Sequence, residues 1–115
     1  MLGKKGEDIA EKILLEEGYK ILDRNYRTRE GEIDIVAMDD EYIVFIEVKS
    51  GASKKYGAPE EKVTPGKIKK ILKVAQKYLE EKGMENRPWR IDVLALEFEK
   101  GKLKEKRLIK NAIFI

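Results

Sequence analysis

Two short apolar runs that carry charged residues place the strongest constraint on the fold of this chain. Residues 32–37 and 42–48 are rich in β-branched side chains and are bounded by turn-forming residues. Such runs are typical of strands in a sheet core. Asp34, Glu47 and Lys49 lie in these runs or directly after them. Charged residues are rarely buried without a partner, a metal or a chemical role, so the pattern points to a functional site on the sheet.

Composition narrows the chemistry available to that site. The 115 residues fit a single domain, 1–115, and 25 basic against 22 acidic residues exclude a disordered polyelectrolyte. Cysteine and histidine are absent, which excludes thiolate nucleophiles, iron–sulfur clusters and imidazole bases. Catalysis must therefore use carboxylates, lysines, tyrosines or an oxygen-bound cation. Without an apolar leader or a membrane-length apolar run, we expect a cytoplasmic protein with no membrane partner.

The hydrophobic periodicity predicts a helix, three strands, a second helix and further strands. Thr64 and Pro65 indicate the start of the second helix, because a hydroxyl N-cap precedes proline at the first helical position. This order predicts an α/β or α+β arrangement around a mixed sheet. The predicted segments are a helix over 6–17, a strand over 19–26, a hairpin of 32–38 and 42–50, a loop over 51–63, a helix ending at Gly83, a strand over 89–98 and one or two strands over 103–115.

These residue types suit metal-assisted phosphodiester chemistry. Without histidine, a divalent cation is needed to lower the pKa of water and to neutralise phosphate charge. Mg²⁺, or Mn²⁺ in its place, takes hard oxygen ligands, which Asp34, Glu47 and the Val48 carbonyl supply. Lys49 would orient or deprotonate the attacking water, or stabilise the phosphate. Glu7 in the first helix would complete the site, directly or through water.

Each of these residues also has a simpler interpretation. Glu47 and Lys49 fit a solvated face of a half-exposed strand. Asp34 alone fits a surface or turn acid, and Glu7 fits an acid that complements a helix dipole.

Two further residues have open roles. Asp92, inside the strand predicted over 89–98, would be a fourth acid at the site or the partner of Arg90 or an edge lysine. Tyr56, in the predicted loop, would stack on a base, although a lone tyrosine indicates little.

Basic residues cluster on both sides of the hairpin. Between 49 and 77 there are nine lysines against two acids. A lysine row at helical spacing suits a phosphate backbone, and its alternative is a solvated helix face. Arginines just before Asp34 are placed to hold the scissile phosphate. The nucleic-acid-binding candidates are Arg24, Arg27, Arg29, Lys67, Lys70 and Lys73, with Lys77 continuing the helical row.

At these residues the chain resembles the PD-(D/E)XK nuclease superfamily, and within it the uncharacterised YraN-like family. The matching motifs are Gly6-Glu7 with Ala10, Gly18-Tyr19, Arg24-Asn25-Tyr26-Arg27, Gly31-Glu32-Ile33-Asp34, Val44-Phe45-Ile46-Glu47-Val48-Lys49, and Tyr56-Gly57 with Pro59, Val63 and Lys67. Archaeal Holliday junction resolvases of that superfamily have a similar element order. Two departures stand out: Ile33 replaces the superfamily's proline, and Ser50-Gly51 replaces a Thr-Arg pair common among YraN-like chains.

The resemblance implies a restriction-endonuclease-like α/β fold, a mixed sheet flanked by helices. It gives Asp34, Glu47 and Lys49 the catalytic places and Glu7 that of the first-helix acid. We therefore expect a metal-dependent endonuclease that hydrolyses DNA at branched or irregular structures, and a homodimer is plausible for a domain this small. The alternatives are a nucleic-acid-binding module of the same fold with little cleavage, and a protein-interaction scaffold.

Overall fold

A five-stranded sheet with its strands in chain order is the framework on which every site residue is placed. The computed structural model describes residues 4–52 and 57–112. Tyr56 and the end of the segment predicted over 103–115 lie outside the described residues. The elements are α1 (Lys4–Glu16), β1 (Lys20–Thr28), β2 (Gly31–Asp39), β3 (Tyr42–Ala52), a short 3-10 helix (Pro59–Lys62), α2 (Pro65–Glu81), β4 (Trp89–Glu99) and β5 (Lys102–Ile109).

The sheet mixes both strand orientations. β1, β2 and β3 are antiparallel neighbours, β3 and β4 are parallel, and β4 and β5 are antiparallel. A parallel pair needs a long crossover connection, and α2 provides it between β3 and β4. This arrangement confirms the predicted α/β class, a mixed sheet flanked by helices.

The two helices cover opposite faces of the sheet. Because side chains alternate along a strand, Val44, Ile46 and Val48 of β3 pack in the cluster that contains α1, whereas Ile43 and Phe45 pack in the cluster that contains α2. Helix α1 contributes Ala10, Ile13 and Leu14, and α2 contributes Ile71, Val74, Ala75, Tyr78 and Leu79. The same alternation directs Glu47 and Lys49 toward the α2 side.

The ends of α2 lie where the sequence predicts them. The Thr64 Oγ1 accepts a hydrogen bond from the Lys67 N–H at 3.2 Å, and Pro65 takes the first helical position. Gly83, with φ at +67°, follows the end of the helix, a conformation that glycine adopts without steric cost. This capping fixes the start of α2, and with it the position of Lys67, against the sheet.

The prediction of a loop over 51–63 is partly wrong. Strand β3 continues through Ala52, because Gly51 pairs with Glu97 and Ala52 with Phe98 on the parallel strand β4. The 3-10 helix then covers Pro59–Lys62. Parallel pairing joins residues far apart in the chain, so a local sequence pattern does not reveal it.

Candidate functional site

The candidate site begins where β2 and β3 separate. Their backbone ladder starts at the pair Ile35–Ile46 and runs toward the hairpin turn. Asp34 stands just before that pair, and its Oδ2 accepts a hydrogen bond from the Val48 N–H at 2.8 Å. The Asp34 carboxylate thus accepts a hydrogen bond from the backbone at the point where the strands separate. This hydrogen bond holds Asp34 beside Glu47.

The Glu47 and Asp34 carboxylates face one another in a poorly hydrated place. Only 6% of the Glu47 side chain is exposed. Burial, followed by the hydrogen-bonded and charged neighbour Glu47, raises the pKa of Asp34 to about 7, against the opposing effect of the Val48 N–H. Two crowded carboxylates disfavour double ionisation, and a bound cation relieves that repulsion.

Two lysines complete the charged cluster. The Lys67 Nζ lies 2.6 Å from the Glu47 Oε2. Burial opposes the charged form of Lys67, yet its contact with Glu47 raises the pKa of this lysine. The neighbouring Lys67 ammonium, together with partial burial, lowers the pKa of Lys49. Lys49 is therefore more readily deprotonated than an ordinary lysine, a property useful in a general base.

These side chains line one cavity of about 360 Å³. Its walls come from the start of β2, the end of β3 and the first turns of α2. The charged residues at the cavity are balanced, three acidic and three basic. Its lining includes Glu32, Asp34, Glu47, Val48, Lys49, Ser50, Lys67 and Lys70.

The donor set fits a hard divalent cation. Asp34 and Glu47 bring two carboxylates to the cavity, and Val48, whose carbonyl is the predicted third oxygen ligand, is among the lining residues. Within residues 4–52 and 57–112, no cluster of three or more His, Cys, Asp or Glu residues is suited to a metal. Mg²⁺ commonly uses one or two protein carboxylates and keeps several waters, so this sparse set is compatible with it.

Glu7 and Arg24 contact each other and are absent from the cavity lining. The Arg24 Nη2 lies 3.0 Å from the Glu7 Oε2, and the Arg24 Nη1 lies 2.8 Å from the Glu11 Oε2. Asp8 adds a third acid from α1 at 3.4 Å. These ion pairs join α1 to β1. The catalytic role of Glu7 and the phosphate-binding role of Arg24 stay predictions, and both would require this cluster to rearrange.

The other basic candidates are distributed over two surfaces. Lys70 lines the main cavity with Lys67, and Lys73 is exposed one turn further along α2. Arg27 and Arg29 line a separate groove at the end of β1, beside Lys77 of α2. The Arg27 Nε also lies 3.4 Å from the Glu32 Oε1. Arg27 thus links this groove to an acid that borders the cavity.

Asp92 lies in the core and belongs to a separate polar network. It is fully buried and accepts hydrogen bonds from the Tyr19 hydroxyl at 2.7 Å and from the Arg90 Nε at 3.0 Å. The Asn111 N–H donates to the same carboxylate at 2.9 Å. The alternative pairing with Arg90 is therefore confirmed. The direct contact between Lys67 and Glu47 was not foreseen, although the capping signal of Thr64 places Lys67 in the first turn of α2.

Comparisons with known proteins agree with the motifs. A family model described as "Uncharacterised protein family UPF0102" matches residues 6–96. A UPF0102 protein of Prosthecochloris aestuarii is 48% identical over 107 residues, covering 90% of this chain and 84% of that protein. A UPF0102 protein of Persephonella marina is 46% identical over 94 residues, covering 82% and 81%.

Among solved structures, Pyrococcus furiosus SfsA in complex with Ca²⁺ matches with a TM-score of 0.36 and 17% identity. The match covers 95% of this chain and 62% of that one. At this level the similarity supports no statement about activity. One further observation concerns the helices: in the described part of the chain, none is long and apolar enough to cross a membrane.

Proposed function

Because this chain belongs to the uncharacterised protein family UPF0102, the YraN-like family that its motifs resemble, we propose its function from the site itself: divalent-metal-dependent endonucleolytic cleavage of DNA. The family description names no activity, so the proposal depends on the residues at the cavity.

The observation that carries the proposal is a crowded carboxylate pair beside lysines in one cavity. The pair is held by secondary structure: Asp34 by its hydrogen bond to Val48, and Glu47 by its place inside β3. A structural role would favour separating these acids or replacing one with an amide. Keeping them together costs stability, and such costs are commonly found at functional sites.

The chain's residues would divide the work as follows. Asp34, Glu47 and the Val48 carbonyl would hold the cation, which supplies a water of lowered pKa and neutralises phosphate charge when bound. Lys49, whose pKa the neighbouring Lys67 ammonium lowers, would orient or deprotonate the attacking water. Lys70 would contact the phosphate backbone at the rim of the cavity.

A longer DNA contact would extend from the cavity along α2. Lys73 is exposed on that helix, and Arg27 and Arg29 line the neighbouring groove. Branched or irregular DNA is the preferred substrate, and this part of the proposal rests on the superfamily resemblance alone. Cutting both strands needs two sites, which a symmetric homodimer supplies.

A second candidate function is a nucleic-acid-binding module with little cleavage. The contact between Lys67 and Glu47 favours it, because the protein's own ammonium neutralises one of the two acids. Lysines at the cavity would then bind phosphate with no need for a metal.

The test is a cleavage assay on labelled linear, flapped and four-way-junction DNA with Mg²⁺, Mn²⁺ or EDTA. Glu47→Gln removes a carboxylate charge at nearly constant shape. Glu41→Gln makes the same change at an exposed residue of the hairpin turn and is the matched control. We expect metal-dependent products from the parent and from Glu41→Gln, and none from Glu47→Gln.

Two results would contradict the nuclease proposal. Equal cleavage by Glu47→Gln and the parent would mean that this cavity is not the active site. Salt-sensitive DNA binding without products in either metal would favour the binding module.

A further inference from the structure

Lys67 occupies the position that a cation at this site would need. Its Nζ lies 2.6 Å from the Glu47 Oε2, one of the oxygens that would hold the metal. Glu47 is almost completely buried, whereas 38% of the Lys67 side chain is exposed. The ammonium therefore approaches the carboxylate from the cavity side, the side open to solvent and substrate.

The ion pair compensates a buried negative charge in the metal-free protein. Asp34 and Glu47 are crowded in a poorly hydrated place, and an unpaired buried charge is costly. Lys67 compensates one of these charges. A divalent cation would satisfy the same oxygens, and the two cations repel each other at so short a distance.

Lys67 is also able to move. Its backbone is fixed by the Thr64 cap, but a lysine ammonium stands on a flexible four-carbon stem. Released from Glu47, it would still project from the first turn of α2 into the cavity that Lys70 also lines. This is where a phosphate close to the two carboxylates would lie.

We propose that Lys67 is an exchangeable internal counterion: it pairs with Glu47 in the metal-free protein and leaves for the substrate phosphate when a divalent cation takes that carboxylate. Metal and nucleic acid then bind cooperatively, because the metal releases a phosphate-binding group. Lys67 is a phosphate-binding residue in this scheme. The inference rests on the proposed metal site and extends it to the coupling between the two ligands.

Calorimetric titration with Mn²⁺, in the absence of DNA, tests the first half. Lys67→Met keeps an unbranched side chain one atom shorter and removes its charge, and Lys67→Gln is a second uncharged variant. Lys69→Met is the matched control, because Lys69 lies about 200° around the same helix. We expect both Lys67 variants to bind Mn²⁺ roughly two- to tenfold more tightly than the parent, and Lys69→Met to match the parent.

Fluorescence anisotropy with a labelled DNA duplex tests the second half. Affinity is measured in EDTA and in Ca²⁺, which takes the same kind of oxygen ligands. The gain in affinity on adding Ca²⁺ should be several-fold larger in the parent and in Lys69→Met than in Lys67→Met.

The outcomes separate the inference from the proposed function. If the parent binds Mn²⁺ in a manner that Glu47→Gln abolishes, while both Lys67 variants bind it equally or more weakly, the counterion exchange is wrong and the metal site stands. If the parent shows no Glu47-dependent Mn²⁺ binding, the proposed function and the inference both fail.

Discussion

The Asp34 Oδ2 accepts a hydrogen bond from the Val48 N–H at the point where the backbone ladder between β2 and β3 ends. This hydrogen bond joins the two strands that carry the acids and places Val48 beside the carboxylate pair. The amide oxygen of an asparagine at position 34 would accept the same hydrogen bond from the Val48 N–H equally well.

The first prediction follows from the pKa of Asp34, which burial and Glu47 raise to about 7. In the unfolded chain this carboxyl titrates near 4, so the unfolded state loses its proton first. Stability should therefore fall as the pH rises from about 4 to 7, with the loss complete above that range. Asp34→Asn should raise the free energy of unfolding at pH 8 in EDTA by on the order of 2 kcal/mol. Urea denaturation measures this difference.

Asp40→Asn is the control for that experiment, because Asp40 is an exposed residue of the hairpin turn. The free energy of unfolding of Asp40→Asn should match that of the parent across the same pH range. A lower stability of Asp34→Asn at pH 8 would show that the charged carboxylate supports the fold. Cleavage should be lost in Asp34→Asn despite the gain in stability.

Lys49 provides a second prediction, about catalysis. Lys49→Met should reduce the rate of DNA cleavage by about 10²- to 10⁴-fold with little effect on DNA affinity, as expected for a group that moves a proton in the transition state. Lys49→Arg separates the two possible roles, because arginine keeps the charge and does not release its proton at any usable pH. Single-turnover cleavage across a pH series is the measurement.

If Lys49→Arg cleaves DNA as fast as the parent, Lys49 stabilises phosphate charge and does not deprotonate water. Lys104→Met, on the exposed strand β5, is the control and should have parental activity. Full activity in Lys49→Met would remove Lys49 from the proposed machinery.

A third prediction concerns the lysines along α2. The double variant Lys70→Ala, Lys73→Ala should weaken DNA binding similarly for different sequences, because backbone phosphates are alike. The slope of log affinity against log salt should become shallower by roughly 1 to 2, about one for each phosphate that the variant no longer neutralises. Anisotropy titrations at several salt concentrations measure both effects, with Lys69→Ala as the single-site control. An unchanged slope would place the DNA elsewhere.

The cap of α2 gives a fourth prediction. Thr64→Ala removes the acceptor of the Lys67 N–H and should cost about 1 kcal/mol in the free energy of unfolding, whereas Thr64→Ser should cost much less. Because Lys67 stands in the turn that the cap fixes, Thr64→Ala should also change Mn²⁺ affinity in the direction of Lys67→Met, to a smaller extent. Denaturation and calorimetry of the two variants test this order.

The buried network around Asp92 gives a fifth prediction, for stability alone. Asp92→Ala would leave the Tyr19 hydroxyl, Arg90 and the Asn111 N–H without this acceptor, at a cost of about 3 to 5 kcal/mol. Tyr19→Phe loses one hydroxyl from the network and should cost about 1 to 2 kcal/mol. Chemical denaturation compares the two. Equal costs would mean that Arg90 is satisfied without Asp92.

The strands and the carboxylates of the site were predictable because their signals are local. The runs at 32–37 and 42–48 show their apolar character residue by residue, and Thr64-Pro65 marks the start of α2 directly. The shared face of Glu47 and Lys49 follows from the two-residue period of a strand.

The interactions that sequence reasoning missed are those between elements distant in the chain. Nothing local to Arg24 indicates that three acids of α1 surround it, and nothing local to Lys67 indicates that it meets Glu47. The extension of β3 to Ala52 likewise depends on its pairing with β4. Such interactions depend on how the helices pack on the sheet. A periodic pattern shows which face of a helix is buried, but it does not show which residues of the sheet that face contacts.

The crossover through α2 has a consequence for the dynamics of the site. Asp34 and Glu47 lie on adjacent strands of a tight hairpin, 13 residues apart in the chain. Lys67, the ammonium partner of Glu47, lies on the helix that follows the hairpin. Local opening that lifts the start of α2 therefore separates Lys67 from Glu47 and leaves that buried acid without this compensating charge. Such openings are reported by amide hydrogen exchange. Exchange at the first turn of α2 should accelerate in Thr64→Ala, and also when Mn²⁺ binds, because the metal takes Glu47 from Lys67 and removes the ion pair that ties this turn to the sheet.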